Sequence, residues 1–429
     1  MSGLHDKIIS RNRENVKRVI IQQMHNSKRE RVRETTEPML PNMKKLLVFL
    51  LVLFPQAFFS QSVKDSAYQT NVVRDNLPSF YTVLAERLTF PLSWSSGNFN
   101  DFNTWRTTAR AKVMECLLKP PPSIPFHPVV VAEQDRGSYV ARKIIFNITA
   151  DSRIIGYLLV PKGKGPFPAV MLLHDHGSKF DIGKEKVVEP FGVLPEQIKS
   201  AREWSDKLYG GRFIGDDLAK RGYVCFATDA LNWSDRGGAG YDSQQALASN
   251  LFNLGMSLAG LMAWEDIYAA EFLATRPEID STRIVAMGVS MGSFRAWQVA
   301  ALSDRIAGGV AICWMATRKG LLVPGGNLTH GQSSFTTTHP NLANYLDYPD
   351  IASLASPKPM LFYNGNQDKL FPALSVEEAF SKMHNVWDSQ KAGDRLVTKL
   401  WDAGHVFNME MQNEAFEWLD RHFLSPQKK

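Results

Sequence analysis

From the run PFPAVMLLHDHG onward, the sequence alternates between short apolar runs and amphipathic stretches, and this alternation constrains the fold most strongly. Apolar, β-branched runs predict buried strands, and apolar residues at three- or four-residue spacing predict helices. A chain that alternates in this way builds a mostly parallel sheet with helices on both faces. The later runs that we interpret as strands are YVCFATDA, RIVAMGVS, IAGGVAICWM, PKPMLFYNGNQD and LVTKLWDAGH.

Two other patterns precede this alternation. The runs HPVVVAEQD, YVARKIIFNI and RIIGYLLVP are separated by turn residues, which predicts antiparallel strands at the N-terminal side of the sheet. Before them, residues 66–118 are predicted to be mostly helical, because their apolar residues recur at near-helical spacing. The prolines of KPPPSIP end that helical part. We therefore expect a helical lead-in over residues 61–125 and one larger domain over residues 126–429.

The N-terminal 60 residues have the pattern of a targeting segment. Two lysines follow Met43, and the nine apolar residues Leu46–Phe54 are too few to span a bilayer but fit a signal-peptide core. We expect a signal peptide at residues 43–60, export to the periplasm or outside a bacterial cell, and no stable membrane anchor after cleavage. Residues 1–42 are interpreted as an over-long gene model or a disordered extension. The alternative is a cytoplasmic tail before a membrane anchor.

Charge and cysteine content exclude several classes of function. The net charge is +6, but residues 1–60 hold 11 Lys/Arg and 5 Asp/Glu, which accounts for the whole excess. The rest of the chain is near neutral, so it has no overall basic character that would indicate a nucleic-acid partner. The cysteines Cys116, Cys225 and Cys313 have neither metal-site spacing nor a disulfide framework, and the last two are predicted to be buried apolar residues.

The stretch Gly288-Val289-Ser290-Met291-Gly292 matches G-x-S-x-G at a predicted junction of strand and helix. Glycine is costly inside either element, so two glycines around one serine indicate a sharp bend that exposes the hydroxyl. Small neighbours let strand and helix approach each other at such a turn. We predict that Ser290 is a nucleophile and that the backbone N–H of Met291, at a helix N-terminus, is an oxyanion donor.

A serine nucleophile needs a base, and the base needs an acid that orients it. His405 lies in LWDAGHVF directly after the last predicted strand, and we predict that it is the base. Asp368 ends the preceding strand run and is the predicted acid, which would fix the imidazole tautomer. Asp394 and Asp402 are predicted to be surface residues.

The second oxyanion donor is expected in the loop after the strand AVMLLH. The candidates are the backbone N–H groups of His176, Gly177 and Ser178. The HDH motif in this loop does not predict a metal site, because three adjacent residues at a strand end cannot all face one ion. The sequence indicates neither a metal nor another cofactor.

These segments resemble the α/β-hydrolase superfamily, and within it the acetyl xylan esterase-like and dienelactone-hydrolase-like branch of polysaccharide-degrading bacteria. The resemblance covers roughly residues 126–424 and the lead-in. It rests on LLHDHG with GKEK, on DALNWSDRGG, on RPEIDSTRIVAMGVSMGS and on DIASLASPKPMLFYNGNQDKLFP. It implies an α/β-hydrolase catalytic domain with the same nucleophile, acid and base, and it places Asp235 and Arg236 near the pocket.

Two departures narrow what the resemblance implies. True dienelactone hydrolases carry a cysteine where Ser290 stands, so dienelactone is not the expected substrate. The lead-in is also too short and too helical to be the propeller of prolyl-oligopeptidase-type peptidases.

The sequence therefore predicts a secreted serine carboxylic-ester hydrolase that acts on acylated carbohydrate through an acyl-enzyme. Residues 316–354, between two predicted strands, are a candidate lid or substrate loop. Aromatic residues near the strand ends either stack on sugar rings or pack in the core, namely Trp233, Trp314, Phe335 and Tyr345. The expected substrate-binding residues are His176, Asp235, Arg236 and Trp314.

Two other functions remain open on the sequence alone. One is a serine peptidase or amidase that uses the same three side chains. The other is a non-catalytic glycan-binding protein on a hydrolase scaffold.

Overall fold

A computed structural model describes residues 73–424 except residues 75 and 239. The predicted extension at residues 1–42 and signal peptide at residues 43–60 lie outside the described residues. The strands are β1 (Val73–Arg74), β2 (Leu77–Pro78), β3 (Val129–Asp135), β4 (Tyr139–Thr149), β5 (Ser152–Pro161), β6 (Phe167–Leu173), β7 (Val224–Thr228), β8 (Ile279–Val289), β9 (Ile306–Ile312), β10 (Met360–Gly365) and β11 (Leu396–Trp401).

The helices lie between these strands and at both ends of the described chain. They are α1 (Tyr81–Glu86), α2 (Phe102–Cys116), α3 (Pro195–Tyr209), α4 (Ile214–Arg221), α5 (Tyr241–Asn253), α6 (Leu258–Ala274), α7 (Met291–Leu302), α8 (Arg318–Leu321), α9 (Tyr348–Ser353), α10 (Ala373–Ser389) and α11 (Met409–Leu419), followed by a π-helical turn (Asp420–Leu424). Within the described part no single helix is long and apolar enough to cross a membrane. The pair α5 and α6, bent by 87°, meets the length and composition criteria only together.

Nine strands form one sheet in the order β11-β10-β9-β8-β6-β7-β5-β4-β3. The strands from β6 to β11 pair in parallel, whereas β3, β4 and β5 pair antiparallel with their neighbours. This arrangement confirms the predicted mostly parallel sheet with antiparallel N-terminal strands. In the register of β8, Gly288 lies opposite Leu173 on one side and Ala311 on the other. Three parallel strands therefore end at one edge of the sheet.

Both faces of the sheet are buried, which explains why the strands are continuous apolar runs rather than alternating ones. Along β8, Ile284 and Ala286 face one core, whereas Val285 and Met287 face the other. The first core also takes side chains from α2, α6, α7, α9 and α10, and the second from α3, α4 and α11. Each buried aliphatic side chain contributes roughly 1.5–3 kcal/mol, so this packing holds the strand ends in fixed positions.

The predicted helical lead-in is partly wrong. Helix α2 is present, and the Asp101 carboxylate caps it by accepting the Thr104 N–H at 2.7 Å. Residues 73–78, in contrast, hold the antiparallel pair of β1 and β2, and α1 is a single short helix. Asn76 adopts a φ of 65° and Pro78 has no N–H, so a helix cannot continue here whatever the apolar spacing.

Residues 316–354, between β9 and β10, form the segment that the sequence singled out as a lid or substrate loop. We call this stretch the cap segment. It contains α8, α9 and three short 3₁₀ helices rather than strands.

Candidate active site

Ser290 stands in the turn between β8 and α7, as the G-x-S-x-G pattern predicts. It adopts a φ of 55°, which is strained for a non-glycine residue, and its N–H donates to the Ile312 carbonyl at 2.8 Å. A Cβ on Gly292 would lie 1.9 Å from the Leu173 oxygen, and one on Gly288 would lie 2.3 Å from the Gly292 carbonyl carbon. Both glycines are therefore required by the close approach of strand and helix.

The N-terminus of α7 presents a free backbone donor beside the serine. The first helical bond of α7 runs from the Phe294 N–H to the Ser290 carbonyl at 3.1 Å. The Met291 N–H has no acceptor among the described residues. The Met291 side chain is buried in a cluster with Phe180 and Trp233, which fixes the backbone. This free donor lies where the helix dipole favours negative charge.

Asp368 and His405 meet through a hydrogen bond at the ends of β10 and β11. The distance from His405 Nδ1 to Asp368 Oδ2 is 2.6 Å, and the carboxylate is fully buried. The other carboxylate oxygen accepts the Leu370 N–H at 2.9 Å. Because a carboxylate only accepts, Nδ1 carries the proton and Nε2 keeps a free lone pair. The Phe371 ring stacks on the imidazole at 6.0 Å and fixes its plane.

Cys313 connects this pair to the serine turn. It follows β9 with a φ of 57°, and its Sγ lies 3.5 Å from the Val406 carbonyl oxygen. Donor atoms of Cys313, Asp368 and His405 all lie within 4.8 Å of one another. The residue before Cys313 accepts the hydrogen bond from the Ser290 N–H, so the three strand ends are adjacent. No hydrogen bond joins Ser290 Oγ to His405 among the contacts of the described residues.

The same three donors could in principle hold a metal ion, and their chemistry argues against it. A cysteine binds a metal ion as its thiolate, but burial raises the pKa of the Cys313 thiol well above its ordinary value. The Asp368 carboxylate and His405 Nδ1 already share a hydrogen bond. We therefore interpret the cluster as a hydrogen-bonded acid and base with a thiol packed beside them. Sequence reasoning identified Cys313 only as a buried residue, and no local motif marks its position.

The loop after β6 is held by a buried lysine. Lys186 Nζ donates to the carbonyls of Asp175 and His176 at 3.1 and 2.7 Å. In a trans peptide the N–H points away from the preceding C=O, so the N–H groups of His176 and Gly177 face the opposite side. Neither N–H has a hydrogen-bond acceptor among the described residues. This geometry favours His176 and Gly177 over Ser178 as the second oxyanion donor.

The ring of His174 also holds this loop in place. Its Nε2 accepts the Ala230 N–H at 3.0 Å, so Nδ1 must donate to the Asp175 carbonyl at 2.8 Å. Burial lowers the pKa of His174 well below its ordinary value, and it lowers the pKa of His176 to about 4. Gly177 has a φ of 51°, and a Cβ there would lie 2.5 Å from the Trp204 ring. The loop is therefore held rigidly, and both of its histidines are neutral at neutral pH.

A network of charges, buried except for the exposed Asp235 carboxylate, adjoins this loop. We call it the charge cluster, and it consists of Asp175, Lys184, Glu185, Lys186, Asp229 and Asp235. Lys184 Nζ lies 2.8, 2.7 and 2.6 Å from the carboxylates of Glu185, Asp229 and Asp235. Burial opposes the charge of Lys184, but these carboxylates raise its pKa well above the ordinary value. Burial raises the pKa of Asp229 to about 7.

The structure gives the predicted substrate-binding residues other partners. Asp235 belongs to the charge cluster, and the Arg236 guanidinium is buried in a bidentate pair with Glu265 at 2.7 and 2.5 Å. Both side chains therefore hold the loop after β7, and Arg236 is not free to contact a ligand. The ring of His176 is also engaged, because it hydrogen-bonds the Gln244 side chain at 2.9 Å.

The predicted stacking of Trp314 on a sugar ring also needs correction. Its side chain is 3% exposed, and Phe294, Tyr348 and Phe371 pack edge-on around it. Trp233 is fully buried as well. These rings form the walls of the core, and neither offers a free face. The two other aromatic residues named from the sequence are half-buried, namely Phe335 and Tyr345.

Comparison with known proteins places this geometry in a family. The family model described as Abhydrolase family matches residues 90–390. The protein YtaP of Bacillus subtilis (strain 168), which is named as a hydrolase, is 26% identical over 317 residues. That alignment covers 74% of this chain and 99% of YtaP.

Solved structures share the fold. A protein named as an acetyl xylan esterase from Bacteroides fragilis superposes with a TM-score of 0.62 at 18% identity, covering 77% of this chain and 85% of that one. A glucuronoyl esterase from Solibacter usitatus superposes with a TM-score of 0.56 at 12% identity, covering 78% and 97%. At these identities the similarity establishes the α/β-hydrolase fold and leaves the substrate to be argued separately.

Proposed function

The chain belongs to the Abhydrolase family, and we propose that it is a serine carboxylic-ester hydrolase in which Ser290, His405 and Asp368 form the catalytic triad. The observation that carries this proposal is the arrangement at the sheet edge. A strained serine turn and a buried carboxylate–imidazole pair lie at the ends of neighbouring parallel strands. In such sheets ligands bind at the carboxyl ends of the strands.

The proposed first half-reaction uses the free Nε2 of His405. This nitrogen takes the proton from Ser290 Oγ as the oxygen attacks the ester carbonyl carbon. The negative charge that develops on the carbonyl oxygen is held by the Met291 N–H and by an N–H of the Lys186-pinned loop. The imidazolium, stabilised by Asp368, then gives its proton to the leaving alcohol, and an acyl-enzyme remains.

Water completes the cycle by the same groups. His405 takes a proton from the water, whose oxygen attacks the acyl carbon, and the proton returns to Ser290 Oγ as the acid leaves. No hydrogen bond joins Ser290 Oγ to His405 among the described residues, and catalytic hydrogen bonds of this kind commonly form only when substrate binds. Both half-reactions therefore use His405 as the base that takes a proton and the acid that returns it.

We propose that the protein is exported from the cell and that its substrate is an acylated carbohydrate. The substrate is supported by solved structures with this fold, which include proteins named as acetyl xylan and glucuronoyl esterases. Export is supported by the signal-peptide pattern at residues 43–60. Sequencing the N-terminus of protein recovered outside the cytoplasm tests export. A mature chain that begins upstream of Ser60 would contradict it.

The activity is tested with Ser290→Ala and a panel of esters. We expect wild-type protein to hydrolyse p-nitrophenyl acetate and the folded variant to lose turnover. Acids released from acetylated xylan, pectin, and feruloylated or methyl-glucuronoyl substrates then identify the acyl group. Matched peptide amides separate an esterase from a peptidase, because faster cleavage of the amides would favour the latter. Turnover that persists in Ser290→Ala would refute the assignment of the nucleophile.

A further inference from the structure

A buried arginine in the cap segment has no anionic partner among the described residues. Arg318 is 3% exposed, and its Nη1 donates to the Tyr348 hydroxyl at 3.1 Å. The guanidinium carbon lies 4.0 Å from the centre of the Tyr348 ring. Nε has no hydrogen-bond partner, and no described carboxylate forms an ion pair with this guanidinium. The edge formed by Nε and Nη2 is the one that matches the two oxygens of a carboxylate.

The neighbouring carboxylate is committed elsewhere. Asp347 Oδ1 accepts the backbone N–H of Arg318 at 2.6 Å, and Oδ2 lies 3.3 Å from Lys382 Nζ. The other deeply buried arginines differ, because Arg295 pairs with Asp266 and Arg236 pairs with Glu265, each through two nitrogens. An unpaired buried charge costs several kcal/mol. The free protein therefore bears a cost at Arg318 that a bound anion would remove.

Arg318 lines a cavity that is large enough for a small ligand. The cavity has a volume of about 280 Å³, near the lower end for small-molecule sites. Most of its wall is apolar or aromatic, and a few hydroxyl groups interrupt it. The other lining residues are Phe252, Leu322, Leu328, Ser334, Phe335, Thr338, Pro340 and Tyr348. Such a wall suits a single ring that carries a carboxylate.

We propose that this cavity binds a carboxylate group of the ester substrate, with Arg318 as its anchor. The choice of substrate over another acid rests on the function proposed above. Arg318 follows Cys313, which lies beside the proposed acid and base, with four residues between them, so their Cα atoms are at most ~18 Å apart. The Tyr348 ring, over which the Arg318 guanidinium lies, packs on the Trp314 ring with their centres 4.8 Å apart. Trp314 packs in turn on the Phe371 ring that stacks on His405.

The binding test uses benzoate and its neutral isostere benzamide, measured by calorimetry in wild-type protein and in Ser290→Ala. We expect benzoate to bind at least about tenfold more tightly than benzamide in both proteins. Arg318→Met should remove this preference, and Arg318→Lys should keep only part of it, because an ammonium cannot form the bidentate contact. The matched control is Arg305→Met, since Arg305 is an exposed arginine paired with Glu271. Equal affinity for the two probes, or a preference that survives Arg318→Met, would overturn the site.

The substrate test compares para-acetoxybenzoate with para-acetoxybenzamide. We expect the ratio of their kcat/KM values to fall by at least about tenfold in Arg318→Met and to stay constant in Arg305→Met. An unchanged ratio in a variant that has lost the benzoate preference would overturn the assignment to the substrate. If wild-type protein hydrolysed neither ester, the proposed function would fail, whereas the calorimetric comparison in Ser290→Ala would still decide whether the anion site exists.

Discussion

The charge cluster and the cap segment both bury positive charge beside the strand ends, but they treat it in opposite ways. In the charge cluster Lys184 has three carboxylates and Lys186 has two carbonyls, and the loops that carry these groups are fixed. In the cap segment Arg318 has only a tyrosine hydroxyl and the face of its ring. A satisfied charge network makes a rigid support, whereas a charge without a partner marks a place that a ligand can complete.

The largest contrast is expected between two arginines of equal burial. Arg295 and Arg318 are each 3% exposed, but only Arg295 has a carboxylate partner. Arg295→Met should lower the free energy of unfolding by about 3–5 kcal/mol, because it leaves Asp266 buried without its partner. Arg318→Met should leave the free energy of unfolding unchanged or raise it, because it removes a charge with no counter-ion. Urea unfolding of both variants measures the difference.

This contrast would be contradicted if Arg295→Met and Arg318→Met lowered the free energy of unfolding by the same amount. Such a result would mean that the guanidinium of Arg318 has a structural partner. Arg305→Met serves as the control for loss of an exposed pair, which should change the free energy of unfolding by less than about 1 kcal/mol.

The next effect concerns the charge cluster and catalysis. Lys186 holds the carbonyls of Asp175 and His176, and the N–H groups that follow them are our candidates for the second oxyanion donor. Lys186→Met should free this loop and lower kcat on p-nitrophenyl acetate by ~10²–10³-fold with a smaller change in KM, because a transition-state donor is misplaced. Steady-state kinetics on protein shown to be folded by circular dichroism provides the measurement.

The control for this variant is Lys199→Met on the exposed face of α3, where Lys199 pairs with Glu203 at 3.9 Å. Its kinetics should match those of wild type. A folded Lys186→Met protein with unchanged kcat would show that the loop is positioned by its other contacts, such as that of His174 with Ala230.

The smallest effect is a pH dependence of stability that the cap segment shares with the loop after β6, beside the charge cluster. Burial lowers the pKa of His176 to about 4 and that of His339, in the cap segment, to about 3, against 6.5 in the unfolded chain. Between these values the unfolded chain binds more protons, so their stabilisation is complete above pH 6.5 and is lost as the pH falls. At pH 5 each histidine should lower the free energy of unfolding by about 2 kcal/mol relative to pH 8.

Urea unfolding of His339→Gln at pH 8 and pH 5 measures how much of the decrease in the free energy of unfolding comes from the cap segment. We expect the decrease between pH 8 and pH 5 to be smaller in this variant than in wild type by about 2 kcal/mol. The surface residue His422 is half-buried against Trp418, and His422→Gln is the matched control, which should keep most of the wild-type decrease. Identical pH profiles for wild type and His339→Gln would show that His339 is not held neutral.

The sequence predicts those parts of the site that follow from local pattern. The strand–turn–helix around Ser290 could be predicted because its signal is contained in five residues whose glycines are required by contacts of the turn itself. Asp368 and His405 were found because parallel strands end at one edge, so polar residues after consecutive strands meet there. The mostly parallel sheet followed from the alternation of apolar runs and helices.

The remainder depends on contacts between distant segments. Lys184 meets Asp229 across 45 residues, and no spacing rule reveals that a GKEK motif is buried. Of the two alternatives for Trp314, the structure shows packing in the core, because the cap segment folds back and packs Tyr348 against the ring. The prediction of a mostly helical lead-in was wrong only over residues 73–78, where Asn76 adopts a left-handed conformation and Pro78 has no N–H. Arg318 has no motif, and only its missing partner singles it out.

The central claim is that Ser290 is activated by the imidazole that Asp368 orients. A fluorophosphonate probe followed by mass spectrometry of the digested protein tests it directly. We predict one adduct, on the peptide that contains Ser290, formed at a rate that falls by about 10³-fold or more in His405→Gln. An adduct on another residue, or an unchanged labelling rate in folded His405→Gln protein, would contradict the account.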